Sequence, residues 1–328
     1  MLINATLPLV VAVFVTTALL ALAWERVPLF QVANARSFHV GAIRTSGGIS
    51  FVIPLAAALL WWFFQGAADA LPLALAFLAL ALLGLIDDLR ELSSVLRLSL
   101  HFVVVALLLR LTAAAPVIAH SEFATTALWI CACVGLVWYL NLYNFMDGID
   151  GIASLQAVGY ALGCAFYVVG DGGWRIDALW ALAAAGTAFL AFNWAPARMF
   201  MGDVGSGALG LLTGWFALAL AHDGAVPFVV SLILLGSFWF DATYTLCVRM
   251  ITGQRFFEGH RSHLYQRLAE RLGHGRTSAL YAGFMLLWLM PLAFWAGHSA
   301  EPVVAVAICG LACTPLLLGC VLLRAGRP

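Results

Sequence analysis

The sequence predicts an all-α, polytopic membrane bundle of about eleven spans, and three observations predict it. Hydrophobic residues make up 64% of the 328 residues and charged ones 10%, well above the apolar share of a water-soluble domain. The apolar residues gather into runs close to the roughly 20 residues that cross a bilayer. The arginines divide unevenly between alternate connections, as the positive-inside bias requires.

The runs fall near residues 3–24, 48–65, 71–86, 98–115, 124–144, 152–169, 176–193, 204–221, 226–247, 279–297 and 302–323. The first has no basic stretch ahead of it and continues to Trp24, so it is expected to be a retained span rather than a cleaved signal. With the amino terminus outside, the odd connections hold Arg26, Arg36, Arg44, Arg90, Arg97, Arg198, the arginines from Arg249 to Arg276, Arg324 and Arg327. Only Arg110 and Arg175 are left on the other side. The expected topology is N-out and C-in, with residues 1–328 forming one transmembrane catalytic domain. A net charge of zero gives no basic face for nucleic acid. The seven cysteines all lie in apolar runs and read as small packing residues rather than disulfides or metal ligands. The basic side chains other than histidine are all arginine, which suits bidentate phosphate recognition.

Taken in order, the connections on the arginine-rich side carry the polar chemistry. The first contains Arg36, His39, Arg44, Gly47, Gly48 and Ser50. Its paired glycines at a helix start either leave N–H donors for an anion or let helices pack closely. The third run ends on Asp87 and Asp88, then Arg90 and Glu91. Adjacent acids suit a divalent cation that also takes phosphate oxygens, with a polar helix stop as the plainer reading. The fifth run ends on Asn141, Asn144, Asp147 and Asp150, spaced three apart, which would share one side of a continuing helix. Such groups are costly at a membrane boundary and are functional by default.

The seventh connection supplies Asn193, Arg198, Phe200, Gly202, Asp203, Gly205, Ser206 and Gly210. Asp203 is a further carboxylate and Phe200 an aromatic face for a nucleobase, while the glycines from Gly205 to Gly210 suit close helix packing. In the ninth connection His260 and His263, three apart on an expected helix, resemble a zinc pair, but no third ligand is near and Arg261 between them repels a dication, so phosphate binding by His260, Arg261 and His263 is the better reading. Asp241, inside the ninth span, is either a packed polar partner of a neighbouring helix or part of the site. Asp69, Glu122, Asp171, Asp177, Asp223 and Glu301 lie singly on the opposite side and read as solvated helix ends. Together the arginine-side segments describe a pocket with acids for Mg2+, donors for phosphate and an aromatic for a base, a combination that fits phosphoryl transfer. A secondary transporter is the competing class, but it would gather its charges near the bilayer midplane, where only Asp241 lies.

These motifs, from Arg36 to about Arg267, resemble the polyprenyl-phosphate N-acetylhexosamine-1-phosphate transferase superfamily, glycosyltransferase family 4. The resemblance rests on Asp87 with Asp88, on Asn144, Asp147 and Asp150, on Phe200, Asp203 and Ser206, and on His260 to His263. It implies an integral enzyme of the bacterial inner membrane that transfers a sugar phosphate from a UDP-N-acetylhexosamine to undecaprenyl phosphate, releasing UMP, with Mg2+ required and Mn2+ as a substitute. Asp203 then looks like the metal ligand, with Asp147 beside it, and Phe200 like the ring that stacks on uracil. Asp87 looks like the base for the lipid phosphate, with Asp88 adjacent. Asn144, Asp147, Asp150 and Asn193 would hold the nucleotide sugar, and His260, Arg261 and His263 would lie near the diphosphate. A homodimer is among the assemblies the resemblance allows. The run from Ala42 to Gly48 departs from the family's usual Pro-Thr-Pro-Arg-Gly-Gly pattern, which shifts Arg44 by one position. The short His-Arg-Ser-His run lacks the three-histidine cluster of the peptidoglycan enzymes, so the O-antigen initiating branch is the nearer likeness and the phospho-MurNAc-pentapeptide transferase the second. Which N-acetyl sugar is used, and whether attack is direct or through an aspartyl phosphate, are left open by these residues.

Overall fold

The computed structural model describes residues 3–27, 30–31, 43–112, 114, 121–168, 173–254 and 260–327. Arg36, His39, Asp171, Arg255 and Glu258 lie outside the described residues. The helices are α1 (Ile3–Trp24), α2 (Ile49–Phe64), α3 (Ala70–Arg90), α4 (Ser94–Leu111), α5 (Glu122–Met146), α6 (Ile152–Tyr167), α7 (Gly173–Asn193) and α8 (Gly202–His222). They continue as α9 (Phe228–Leu234), α10 (Gly236–Ile251), α11 (Leu264–Leu272), α12 (His274–Phe284), α13 (Met290–Gly297) and α14 (Pro302–Leu322), with a π turn, Met285–Leu289, joining α12 to α13. A two-residue antiparallel pair sets Phe30 opposite Arg44 and Gln31 opposite Ile43.

The chain is thus an all-helical, multi-pass bundle, but its spans differ in kind from eleven equal ones. Among the described residues, eight helices are long and apolar enough to cross a membrane, or nine if the bent pair α9 and α10 is one span. The runs at 48–65 and 152–169 yield helices of 16 residues each, about 24 Å long and short of the roughly 30 Å hydrocarbon layer. The run at 226–247 breaks at Leu235, where α9 and α10 meet at 69°. Gln156 of α6 braces that break, its Nε2 donating to the Leu234 carbonyl at 3.0 Å and its Oε1 accepting from the Ser237 hydroxyl at 2.7 Å. Large apolar side chains such as Leu107, Leu111, Leu287 and Val303 face outward, as they would toward lipid.

Helix α8 is the axis of the bundle, packed most extensively by α3 and α5. Its glycines allow the approach: a Cβ on Gly210 would fall 2.8 Å from the Leu140 Cα, and one on Gly205 would meet Phe51 and Gly48. The expected close packing of this glycine run is what the fold contains. At the end of the bundle away from the predicted site, Arg175 pairs with Asp69 at 2.5 Å and with Asp223, and lies over the Trp174 and Trp215 rings. Asp69 and Asp223 are therefore not solvated ends: one partly buried guanidinium ties the start of α3, the start of α7 and the end of α8 together.

Candidate active site

At the opposite end of the bundle, α3, α5 and α8 bring three of the predicted acids and one amide together. Helix α3 does not stop where its apolar run stops. It continues through Asp87 and Asp88 to Arg90 and closes at Glu91, whose φ of 44° is left-handed. Both acids therefore sit on the last turn of a helix, beside the first turn of α8. Gly84 is what permits this contact, because a Cβ there would fall 2.3 Å from the Asp203 carbonyl oxygen.

The two aspartates do different things. Asp87 is nearly buried, accepts the Leu92 N–H at 2.6 Å and pairs with Arg97 at 2.5 Å. Asp88 accepts the Asp203 N–H at 3.0 Å and the Ser46 hydroxyl at 2.8 Å, so both of its oxygens hold other segments in place. Gly202 has a φ of 69°, and a Cβ on it would press to within 2.4 Å of the Asp88 carboxylate. The turn into α8 needs glycine for both reasons.

Asp203 follows as the first acid of α8. Its Oδ1 accepts the Asn144 amide at 2.9 Å, and the same amide donates to the Ser206 hydroxyl at 3.0 Å. Its Oδ2 lies 3.5 Å from the Arg97 guanidinium, and its side chain keeps 34% exposure. Arg97 thus stands between Asp87 and Asp203. Four residues further along α4, His101 faces the Asn141 amide at 3.2 Å. Arg97, His101, Asn141, Asn144 and Asp203 line a cleft with Leu80, Leu83, Gly84, Leu140 and Gly207 as its apolar walls.

The expectation that Asn141, Asn144, Asp147 and Asp150 share one helix side holds only for the first two. Helix α5 ends at Met146, and Asp147 is its half-buried cap residue. Burial first, and then the carboxylates of Asp203, Asp88 and Asp150, push the Asp147 carboxyl well above its usual range. Asp150 turns away: it accepts the Ala197 N–H at 3.0 Å and pairs with His274 at 3.1 Å, while its carbonyl accepts the Ser278 hydroxyl at 2.6 Å. Asn193 is buried beside it and fully engaged, accepting the Gly151 N–H at 3.1 Å and donating to the Met199 carbonyl at 2.9 Å. Asp150 and Asn193 form a brace that shapes the 147–151 turn and the loop leading to Phe200.

The paired glycines do not leave free donors. Gly47 and Gly48 donate to the Phe200 and Met201 carbonyls, each at 2.9 Å, so the packing alternative holds for them. This docking presents the half-buried Phe200 next to the start of α8. On the last segment, His260 precedes α11 and His263 caps it, so the two histidines do not share a helix turn. Their rings stack at 4.7 Å, with Tyr265 next at 5.7 Å from His263.

For a divalent cation the donor set is sparse. Among the described residues no three His, Cys, Asp or Glu side chains form a ligand group. A hard cation such as Mg2+ binds through one or two carboxylates and completes its shell with substrate phosphates and water. Asp203, partly exposed at the cleft, and Asp147 are the carboxylates able to serve. Sequence reasoning passed over Arg97, His101, Ser46 and Tyr265 as site residues. The first two had a signal, since Arg97 and His101 are four apart on a largely apolar helix and so share a face.

Asp87, Arg97, Asn144, Asp147 and Asp203 fall within a stretch that known proteins share. Residues 70–221 match glycosyl transferase family 4. A protein of Bacillus subtilis (strain 168) named probable undecaprenyl-phosphate N-acetylglucosaminyl 1-phosphate transferase is 33% identical over 150 residues, which are 44% of this chain and 40% of that protein. The phospho-N-acetylmuramoyl-pentapeptide-transferases of Streptococcus gordonii (strain Challis) and Streptococcus pyogenes serotype M18 are 32% and 29% identical over 158 and 163 residues, in each case 47% of both chains. The matches thus span less than half the length of these relatives.

Proposed function

We propose, from the match of residues 70–221 to glycosyl transferase family 4, that this chain transfers N-acetylhexosamine-1-phosphate from a UDP-N-acetylhexosamine to undecaprenyl phosphate. The observation that carries the proposal is the meeting of Asp87, Arg97, Asn144 and Asp203, from four helices, at one end of the bundle. A terminal phosphate oxygen of the lipid attacks the β-phosphorus of the donor. The new O–P bond forms as the bond from that phosphorus to the bridging oxygen breaks, and UMP leaves with the bridging oxygen.

Asp203, with Asp147, would hold Mg2+ or Mn2+, which supplies charge neutralisation to the diphosphate when bound. The chain's own groups do the rest. Arg97 lies between two carboxylates, so it can meet an incoming phosphate while Asp87 keeps that phosphate ionised. Asn144 fixes the Asp203 carboxylate, Phe200 offers its ring to uracil, and His260, Arg261 and His263 approach the diphosphate. Asp88, Asp150 and Asn193 support these groups rather than touch substrate. Positioning and charge neutralisation account for most of the rate in phosphoryl transfer.

The reading places the enzyme in the bacterial inner membrane with its site on the cytoplasmic face, N-out and C-in, as one catalytic bundle that starts O-antigen or a related envelope polysaccharide. The short His260 to His263 motif favours that branch. The matches to phospho-N-acetylmuramoyl-pentapeptide-transferases support a second reading, the same reaction with a UDP-muramoyl-pentapeptide donor. The test incubates the purified protein with undecaprenyl phosphate, Mg2+ and a panel of UDP-sugars, including the muramoyl pentapeptide. UMP release is expected with a UDP-N-acetylhexosamine. Release with the pentapeptide donor alone supports the second reading, and no release with any donor, or full activity in Asp203→Ala, overturns both.

A further inference from the structure

Asp241 is a carboxylate with no exposed surface in the middle of α10, and the reaction above makes no use of it. A buried carboxylate is expensive unless its oxygens are met by donors. Here they are. Oδ1 accepts the Leu264 N–H at 2.8 Å and the Thr245 hydroxyl at 3.3 Å, while Oδ2 accepts the Tyr265 N–H and the Tyr281 hydroxyl, each at 3.0 Å. Leu264 and Tyr265 open α11, so their N–H groups have no partner within their own helix. An acceptor-only carboxylate can take all four donors; an amide would turn its own N–H2 toward two of them.

What this contact holds is the segment ahead of α11. His263 is buried at the cap position, its Nδ1 3.8 Å from Asp241 Oδ1 and its ring stacked on His260. The next residue but one, Tyr265, continues the connection: its hydroxyl donates to the Phe145 carbonyl at 2.9 Å, one residue from Asn144 and two from Asp147. Gly148 leaves the room, since a Cβ there would fall 2.1 Å from that hydroxyl.

We propose that Asp241 is a positioning residue for the donor's diphosphate, holding the His260 to His263 segment against the Asn144 to Asp147 corner through Tyr265. The inference rests on the transferase reading above. If the wild-type protein releases no UMP, that reading fails first and separately. Given wild-type turnover, Asp241→Asn is expected to raise the KM for the UDP-sugar roughly tenfold while kcat and the KM for the lipid change by less than about threefold, the pattern of lost donor binding. Tyr265→Phe, which cuts the other end of the connection and leaves Asp241 intact, is expected to move the same constant in the same direction. Gln156→Leu loosens the neighbouring α9 and α10 break without touching α11, so it should lower Tm and leave the donor KM unchanged. A wild-type donor KM in Asp241→Asn overturns the proposal, and so does an equal rise in Gln156→Leu. Where Asp241→Asn fails to fold, Tyr265→Phe decides, and an unchanged donor KM there overturns it.

Discussion

The backbone N–H of Asp203 donates to the carboxylate of Asp88 at 3.0 Å, so the second of two adjacent acids on α3 caps the helix that carries the third. A carboxylate at a helix start satisfies an otherwise unpaired N–H and sits at the positive end of the helix dipole. Asp87, one residue earlier, points instead to Arg97. Adjacent residues on a helix are about 100° apart, so one acid holds the arginine that lines the cleft and its neighbour fixes the start of α8.

Asp88→Ala should therefore cost stability as well as turnover, about 1 kcal/mol by the usual worth of a helix cap. Asp88→Asn, which keeps one acceptor oxygen for the Asp203 N–H, should lose less of both. Thermal unfolding in detergent beside UMP release measures the pair. An Asp88→Ala protein as stable as wild type would mean that the cap contributes nothing.

Arg97 is expected to matter for folding and chemistry in separable ways. Arg97→Met leaves Asp87, whose side chain is 7% exposed, without its cation and next to Asp203. Breaking such a pair should cost about 3 kcal/mol and abolish turnover. Adding Asp87→Leu removes the stranded charge, so the double variant should regain much of the stability and none of the activity. Chemical denaturation of the variants checks the first half and UMP release the second.

These contacts explain how far the sequence could be read. Hydropathy locates the apolar runs, and the identities of Asp87, Asn144, Asp147 and Asp203 point to one kind of chemistry before any fold is known. Helix ends are less legible. Nothing local in Asp87, Asp88, Leu89 and Arg90 stops a helix, so α3 runs on four residues past its apolar part. The spacing of Asn141 to Asp150 looks continuous although the chain turns at Asp147. Contacts across long separations leave no local trace: Ser46 to Asp88 spans 42 residues and Ser278 to Asp150 spans 128. The role of Asp241 is illegible for the same reason, because three of its four donors come from helices 23 to 40 residues later.

The tight seam between α3 and α8 gives a prediction about glycine. Any side chain at Gly84 meets the backbone of Asp203 and Val204, which cannot swing aside as a flexible side chain can. Gly84→Ala should cost about 1–3 kcal/mol through overpacking and lower turnover by shifting Asp203. At Gly135 in α5 an added Cβ would meet nothing within 4 Å, so Gly135→Ala should be neutral or gain up to about 1 kcal/mol of helix propensity. Equal behaviour of the two variants, in Tm and in UMP release, would contradict the seam.

Asp147 makes stability depend on pH with a sign opposite to that of a paired carboxylate. Burial and the surrounding acids raise its folded pKa well above the usual value, so the folded state disfavours the charged form. Below about pH 4 the group is protonated in both states and contributes nothing. As pH rises past that point the unfolded chain ionises first, and the folded protein loses stability until its own raised pKa is passed. Asp147→Asn removes this penalty. Without divalent cation the variant should melt above wild type at neutral pH, and the gap should close as pH falls toward about 4. Added Mg2+ should stabilise wild type more than Asp147→Asn, because the proton and the cation compete for the same carboxylate. Melting curves across pH, with and without Mg2+, measure both effects, and a gap that widens toward acid would show that Asp147 is held ionised instead.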